Sequence, residues 1–209
     1  MNAKQEIAEL IEAKRQVFID VSDEVWESSE TRFDTNESAK SFYRVGTPVI
    51  GILAEYDALG NLSQVADLGE KKAKVEGGNG HGCGHNLLGA GALAGAVGIK
   101  DYMEIHQMQG TIQLFGCPAE ESGYGKSFMA RDGVFDNIDL ALSWHPGDVS
   151  AAGGFSSLAV YQAYYNFKGV ASHAAVAPEQ GRSALDAAEL MNSGVQYLRE
   201  HIVDSARVH

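Results

Sequence analysis

Basic side chains are scarce in this sequence: 16 Lys and Arg stand against 28 Asp and Glu, a net charge of −12. With so little positive charge to neutralise phosphates, the chain is expected to bind neither nucleic acid nor an anionic membrane surface. Long apolar runs are also missing. The most apolar stretch, Leu87 to Ile99, is rich in Gly and Ala and falls short of the roughly 20 residues that span a bilayer. The opening MNAKQEIAEL carries acidic residues where a secretory signal needs an uninterrupted apolar stretch. A soluble, cytoplasmic protein is therefore expected. Only two cysteines occur, Cys83 and Cys117, with no C-x-x-C pair. In a reducing compartment they are expected to be free or metal-bound, and the spacing argues against a thiol-redox protein. Neither an internal repeat nor a low-complexity segment is present.

What is there is ordinary globular material, 44% apolar and 21% charged over 209 residues. That suffices for one large domain, or one domain with part of a second. Ile7, Leu10, Ile11, Phe18, Val21 and Val25 recur at helical spacing, predicting an amphipathic helix near 4–28. PVIGILAE (48–55) and TIQLFG (111–116) are short continuous apolar runs of the kind found in strands covered on both faces. Between them lie a loop at 60–82 containing GGNG and a small-residue helix from Gly84 to about Tyr102. A short helix near 125–131 leads to a third strand at 140–144. Strand, helix, strand, helix, strand predicts a parallel α/β sheet, whose functional groups gather at the carboxyl ends of the strands. Asp57, Glu120, Glu121 and His145 each fall at or just past such an end. Beyond Gly153 and Gly154 the pattern changes. Tyr161, Ala163, Tyr165 and Phe167 alternate like a half-exposed strand, and Leu185 to Ile202 reads as an amphipathic helix. A domain boundary is expected near 155, giving segments 1–155 and 156–209.

Several of these residues can carry chemistry. Cys83-Gly84-His85 places a thiol and an imidazole two positions apart in a glycine-rich turn, a donor pair suited to a borderline ion such as zinc. A buried cysteine beside a surface histidine is the plainer alternative, and His81 is read as a loop histidine. In Glu120-Glu121 one carboxylate can bind metal while the other handles protons, although an isolated pair also fits an acidic surface turn. His145 lies within WHPG, where Trp144 and Pro146 restrict the ring, and a structural histidine fits as well. Asp57 can fix the tautomer of a ligand histidine, or cap a turn. Their shared location at one sheet edge makes the group worth more than its members.

Taken together, AEYDAL (54–59), GHGCGHNLLGAG (80–91), PAEESGYGKSFMARDGVFD (118–136) and WHPGD (144–148) resemble the co-catalytic metallo-amidohydrolases. That family includes carboxypeptidase G, aminoacylases, hippurate hydrolase and auxin-conjugate hydrolases. The GHGCGHN spelling and KGVASHAAVAPEQGRSALDAAELMN (168–192) look most like its aminobenzoyl-glutamate utilization branch. The resemblance implies a three-layer α/β/α catalytic domain with a mostly parallel sheet, followed by an α+β ferredoxin-like lid that mediates dimerisation. It implies two divalent cations, zinc or manganese, held by Cys83, His85, Glu121 and His145. Glu120 would be the general base, Asp57 the supporting aspartate, and His173 the lid histidine that reaches across a dimer toward the scissile carbonyl. The implied substrate is an N-acyl amino acid such as p-aminobenzoyl-glutamate, and the implied assembly a homodimer or a heterodimer with a related subunit. The family's last ligand histidine and the rest of its lid have no counterpart before residue 209. The chain is therefore expected to be truncated and inactive by itself. The alternative function is a non-catalytic homologue that folds or binds metal without turnover.

Overall fold

The computed structural model describes residues 2–29, 39–153 and 156–209, with residues 39–44 described by their backbone alone. The chain divides into two compact units, Met1–Ser150 and Ala151–His209. The boundary expected near 155 falls on residues 154–155, outside the described residues.

In the first unit four strands form one sheet: β1 (Ala39–Val45), β2 (Val49–Glu55), β3 (Gly110–Cys117) and β4 (Leu140–Leu142), in the order β1-β3-β2-β4. The two apolar runs become the adjacent central strands. β2 lies parallel to β3, with Val49 opposite Thr111 and Glu55 opposite Cys117. β4 joins the other side of β2, also parallel, and is three residues long rather than the five expected. β1, which the sequence pattern did not reveal, pairs antiparallel with β3 at the edge.

Side-chain alternation along the strands supplies a core on each face of the sheet. On one face Ile52, Ala54 and Ile112 pack with Ala92, Ala96 and Met103 of α3 (His85–Ile105). On the other, Phe115 and Cys117 pack with Met129 of α5 (Gly125–Arg131) and with Leu53, Val134, Phe135 and Ile138. Small residues along α3 let the helix lie close to the sheet. No helix among the described residues is long and apolar enough to cross a membrane.

The single helix expected near 4–28 is two helices, α1 (Ala3–Glu12) and α2 (Arg15–Ser28), both packed on α3. A turn at Ala13-Lys14 separates them, and Lys14 pairs with Asp101 of α3. The turn breaks the helix without disturbing the spacing of the apolar residues, so periodicity reads through it.

In the second unit the helix expected there is α6 (Ala184–Leu198), capped by the Ser183 hydroxyl, which accepts from the Asp186 N–H at 3.0 Å. The strand expected at 161–167 is not formed. A strand is held by hydrogen bonds to a neighbour, and the one bridge described in this unit joins Val170 to Arg182. Tyr161 is fully exposed, and Leu185, Leu190 and Tyr197 are exposed along α6.

Candidate metal centre

Because β2, β3 and β4 run parallel, their carboxyl ends share one edge, and three of the site's segments leave from there. Glu55 ends β2, Asp57 follows two residues later, Glu120 and Glu121 open a one-turn helix, α4 (Glu120–Gly123), just past β3, and His145 lies three residues beyond β4. The fourth segment is the Cys83–His85 turn at the start of α3.

That turn is built from outside as well as within. Gly84 has φ +76°, a left-handed conformation that favours glycine, and a Cβ there would stand 3.3 Å from Pro146. His81, expected as a loop histidine, is in a loop but buried, with Nε2 donating to the Val25 carbonyl at 2.9 Å. Asn86 donates to the Ser22 hydroxyl at 3.2 Å. Both contacts brace the turn against α2. The acidic turn is bounded by Ala119 and Tyr124, both non-glycine residues in the left-handed region. A Cβ on Gly125 would lie 1.8 Å from the Pro118 carbonyl oxygen, so the chain closes on itself immediately behind the two glutamates.

Asp57 is the organising group. It is buried, and its Oδ1 accepts from His85 Nδ1 at 3.2 Å while Oδ2 accepts from the Glu121 backbone N–H at 3.0 Å. Burial works against its charge, but these hydrogen bonds prevail and hold its carboxyl below the usual range. An ionised Asp57 can only accept, so His85 Nδ1 carries the hydrogen and Nε2 turns into the site. His145 repeats the arrangement: its Nδ1 donates to the Pro146 carbonyl at 2.8 Å, and its Nε2 lies 3.3 Å from the Cys83 sulfur. Fixing the far nitrogen of a histidine against an acceptor is how proteins present the near nitrogen to a metal.

Two donor groups meet at His85. Cys83, His85 and His145 each offer a ligand atom within 4.8 Å of the others, and so do Glu55, His85 and Glu120. Around His85 Nε2 stand Glu55 Oε2 at 3.3 Å, Glu121 Oε1 at 3.8 Å and Glu120 Oε2 at 3.9 Å. His85 Nε2 and Glu121 Oε1 are both buried without a hydrogen-bond partner. Buried polar atoms left in this condition are rare, and convergent nitrogen, sulfur and carboxylate donors fit a divalent cation. The charges agree. Burial lowers the His85 pKa, but Asp57, Glu55 and Glu121 outweigh it and raise it. Burial and the neighbouring carboxylates, Glu121 first among them, push the Cys83 thiol up to about 11. Burial and the charge of Glu55 raise Glu120, against the opposing pull of Lys126.

The structure thus brings Asp57, Cys83, His85, Glu120, Glu121 and His145 into one region of the first unit. His173 belongs to the second unit, exposed in a turn where its Nδ1 accepts from the Ala175 N–H at 3.2 Å. Glu55 and Lys126 were not singled out from the sequence. Glu55 stands two residues before Asp57, but Asp57 lies past the end of β2, so strand alternation does not relate the two and gave no signal for Glu55.

A mostly parallel sheet with thiol, imidazole and carboxylate donors gathered at its strand ends defines an α/β protein with a candidate metal centre. Residues 51–200 match peptidase family M20/M25/M40, and the chain belongs to that family. It is 43% identical to one of the subunits of the p-aminobenzoyl-glutamate hydrolase of Escherichia coli K12, over 97% of this chain and 47% of that protein. It is 33% identical to the mouse Xaa-Arg dipeptidase, over 77% of this chain and 33% of that one. The chain therefore spans about half, or less, of the length of these relatives. Among solved structures it resembles the Bacillus subtilis YXEP protein, a dinuclear metal-binding peptidase of the M20 family. The TM-score is 0.50 at 21% identity, covering 65% of this chain and 44% of that one, a likeness of fold alone.

Proposed function

We propose that this chain carries the metal-binding part of an amidohydrolase that cleaves N-acyl amino acids, with p-aminobenzoyl-glutamate-like amides as substrates. The observation that carries the reading is the pair of histidines, His85 and His145, each with Nδ1 bonded to an acceptor and Nε2 turned toward thiol or carboxylate. Cys83, His85, Glu121 and His145 are the residues that would hold two divalent cations, zinc or manganese. When bound, such ions polarise an amide carbonyl and make water a better nucleophile.

The protein's own groups supply the proton traffic. Glu120 is the most exposed of the carboxylates near His85, its side chain 41% accessible against 16% for Glu121 and 12% for Glu55. It is open to water and substrate, and its raised pKa moves it toward the range where a general base works near neutral pH. Glu120 takes a proton from the attacking water and returns it to the leaving amine. Asp57 keeps His85 in one tautomer and, through the Glu121 N–H, fixes the turn that carries both glutamates.

Under this reading residues 1–155 are catalytic-domain sequence and 156–209 part of a lid and dimerisation domain. His173 reaches a partner's site in a homodimer or in a heterodimer with a related subunit. The exposed Tyr161, Leu185, Leu190 and Tyr197 support an assembly in which that unit is covered.

The test is to load a form of the protein that spans the length of its relatives with zinc or manganese and assay p-aminobenzoyl-glutamate and simple N-acyl amino acids. Metal-dependent hydrolysis that falls about 10²–10⁴-fold in Glu120→Gln, with metal content kept, is the expected result. Equal loss of metal from Glu120→Gln and Glu121→Gln would overturn the division of roles. Stable metal binding with no hydrolysis would favour a homologue that binds without turnover.

A further inference from the structure

Glu55 is held from behind. Its Oε1 pairs with Lys126 Nζ of α5 at 2.6 Å, and its other oxygen, Oε2, lies 3.3 Å from His85 Nε2. The Glu55 side chain is 12% exposed, and that of His85 1%. With Nδ1–H committed to Asp57, neutral His85 presents a lone pair at Nε2, facing three carboxylate oxygens from Glu55, Glu120 and Glu121. Acceptors do not stabilise one another. A proton on Nε2 relieves the conflict only in part, because none of these oxygens has hydrogen-bond geometry to it. A cation placed there would be met by donors in place of that conflict, and the ligand atoms of Glu55, His85 and Glu120 lie within 4.8 Å of one another.

We propose that Glu55 is itself a ligand for a divalent cation, forming with His85 and the acidic turn a carboxylate-rich position beside the Cys83–His145 pair. Lys126 occupies the oxygen of Glu55 that does not face His85 and so orients the other. The two positions differ in chemistry. Thiolate and imidazole suit zinc, whereas a position dominated by carboxylate oxygens suits a harder ion such as manganese. The inference rests on the metal-binding half of the function proposed above and is independent of turnover.

The experiment is a manganese titration of the metal-free 209-residue protein, followed by the loss of the free Mn²⁺ electron paramagnetic resonance signal. Wild type, Glu55→Gln and Glu55→Asp are compared, with circular dichroism melting as the check on folding. Glu55→Gln is expected to weaken manganese binding at least tenfold. Glu55→Asp, which keeps the charge but withdraws the oxygen by one methylene, is expected to weaken it as well. Manganese affinity within threefold of wild type in Glu55→Gln would overturn the proposal. So would full affinity in Glu55→Asp, which would make Glu55 a source of field and not a ligand. A wild-type protein that binds no manganese overturns it too. Glu55-dependent binding supports the proposal even if a form spanning the length of the relatives shows no amide hydrolysis, a result that sinks the proposed function alone, so the two failures are distinct.

Discussion

Asp57 and His85 tie the metal-free protein's stability to pH, with a sign that can be worked out. The His85 pKa is raised on folding, so its contribution is complete below its unfolded value of about 6.5 and is lost as pH climbs through the folded one. The Asp57 pKa is lowered on folding, so its contribution is complete above about 3.9 and is lost as pH falls through the folded value. Both act together between about pH 4 and 6.5. The metal-free protein should therefore lose melting temperature on either side of that window, and Asp57→Asn should flatten both limbs. A pH profile of thermal unfolding, wild type against variant, reads this directly, and parallel profiles would refute it. Asp57 was legible as a candidate because it falls just past the end of an apolar strand, on the edge where the functional groups of a parallel sheet gather. Glu55 was not, because a charged residue ending a strand looks like an ordinary solvated terminus. Its role shows only once the strand's last residue and the reach of Lys126 from a separate helix are known.

At the scale of elements, the turn behind the two glutamates is the tightest part of the centre. Gly125→Ala sets a methyl group against the Pro118 carbonyl, which only backbone movement can relieve. The expected cost is about 1–3 kcal/mol in denaturant unfolding, together with weaker cation binding, because α4 must shift. Unchanged stability and affinity would show that the turn yields without moving its carboxylates. β4 is held differently. Its Leu140 and Leu142 are about half exposed, and the segment after it is pinned by Trp144, whose indole N–H donates to the Leu88 carbonyl at 3.1 Å. β2 and β3 were readable because both faces are covered, which leaves an uninterrupted apolar run. β1 was not, since an edge strand needs no such run, and the pattern at 161–167 announced a strand whose hydrogen-bond partner is not among the described residues.

In the whole molecule the centre draws on segments near residues 55–57, 83–85, 120–121 and 145, joined by nothing local in the chain. They meet only when the parallel strands are paired and α3 is seated on the sheet. An unfolded chain disperses them and binds a cation far more weakly. Free metal concentration is then a variable of the folding equilibrium, as much as temperature or denaturant. At a hundred times the dissociation constant a cation that binds only the folded form adds about 2.7 kcal/mol to its stability. The melting temperature should thus climb with the logarithm of metal concentration well past stoichiometric loading. Differential scanning calorimetry across a buffered zinc or manganese series measures that slope, and a melting temperature that does not rise with metal at all would mean that the donors hold the ion equally well when scattered. In a cell, such a chain would answer to metal supply through its abundance before it answered through its chemistry, because the starved form is the one that unfolds and is degraded.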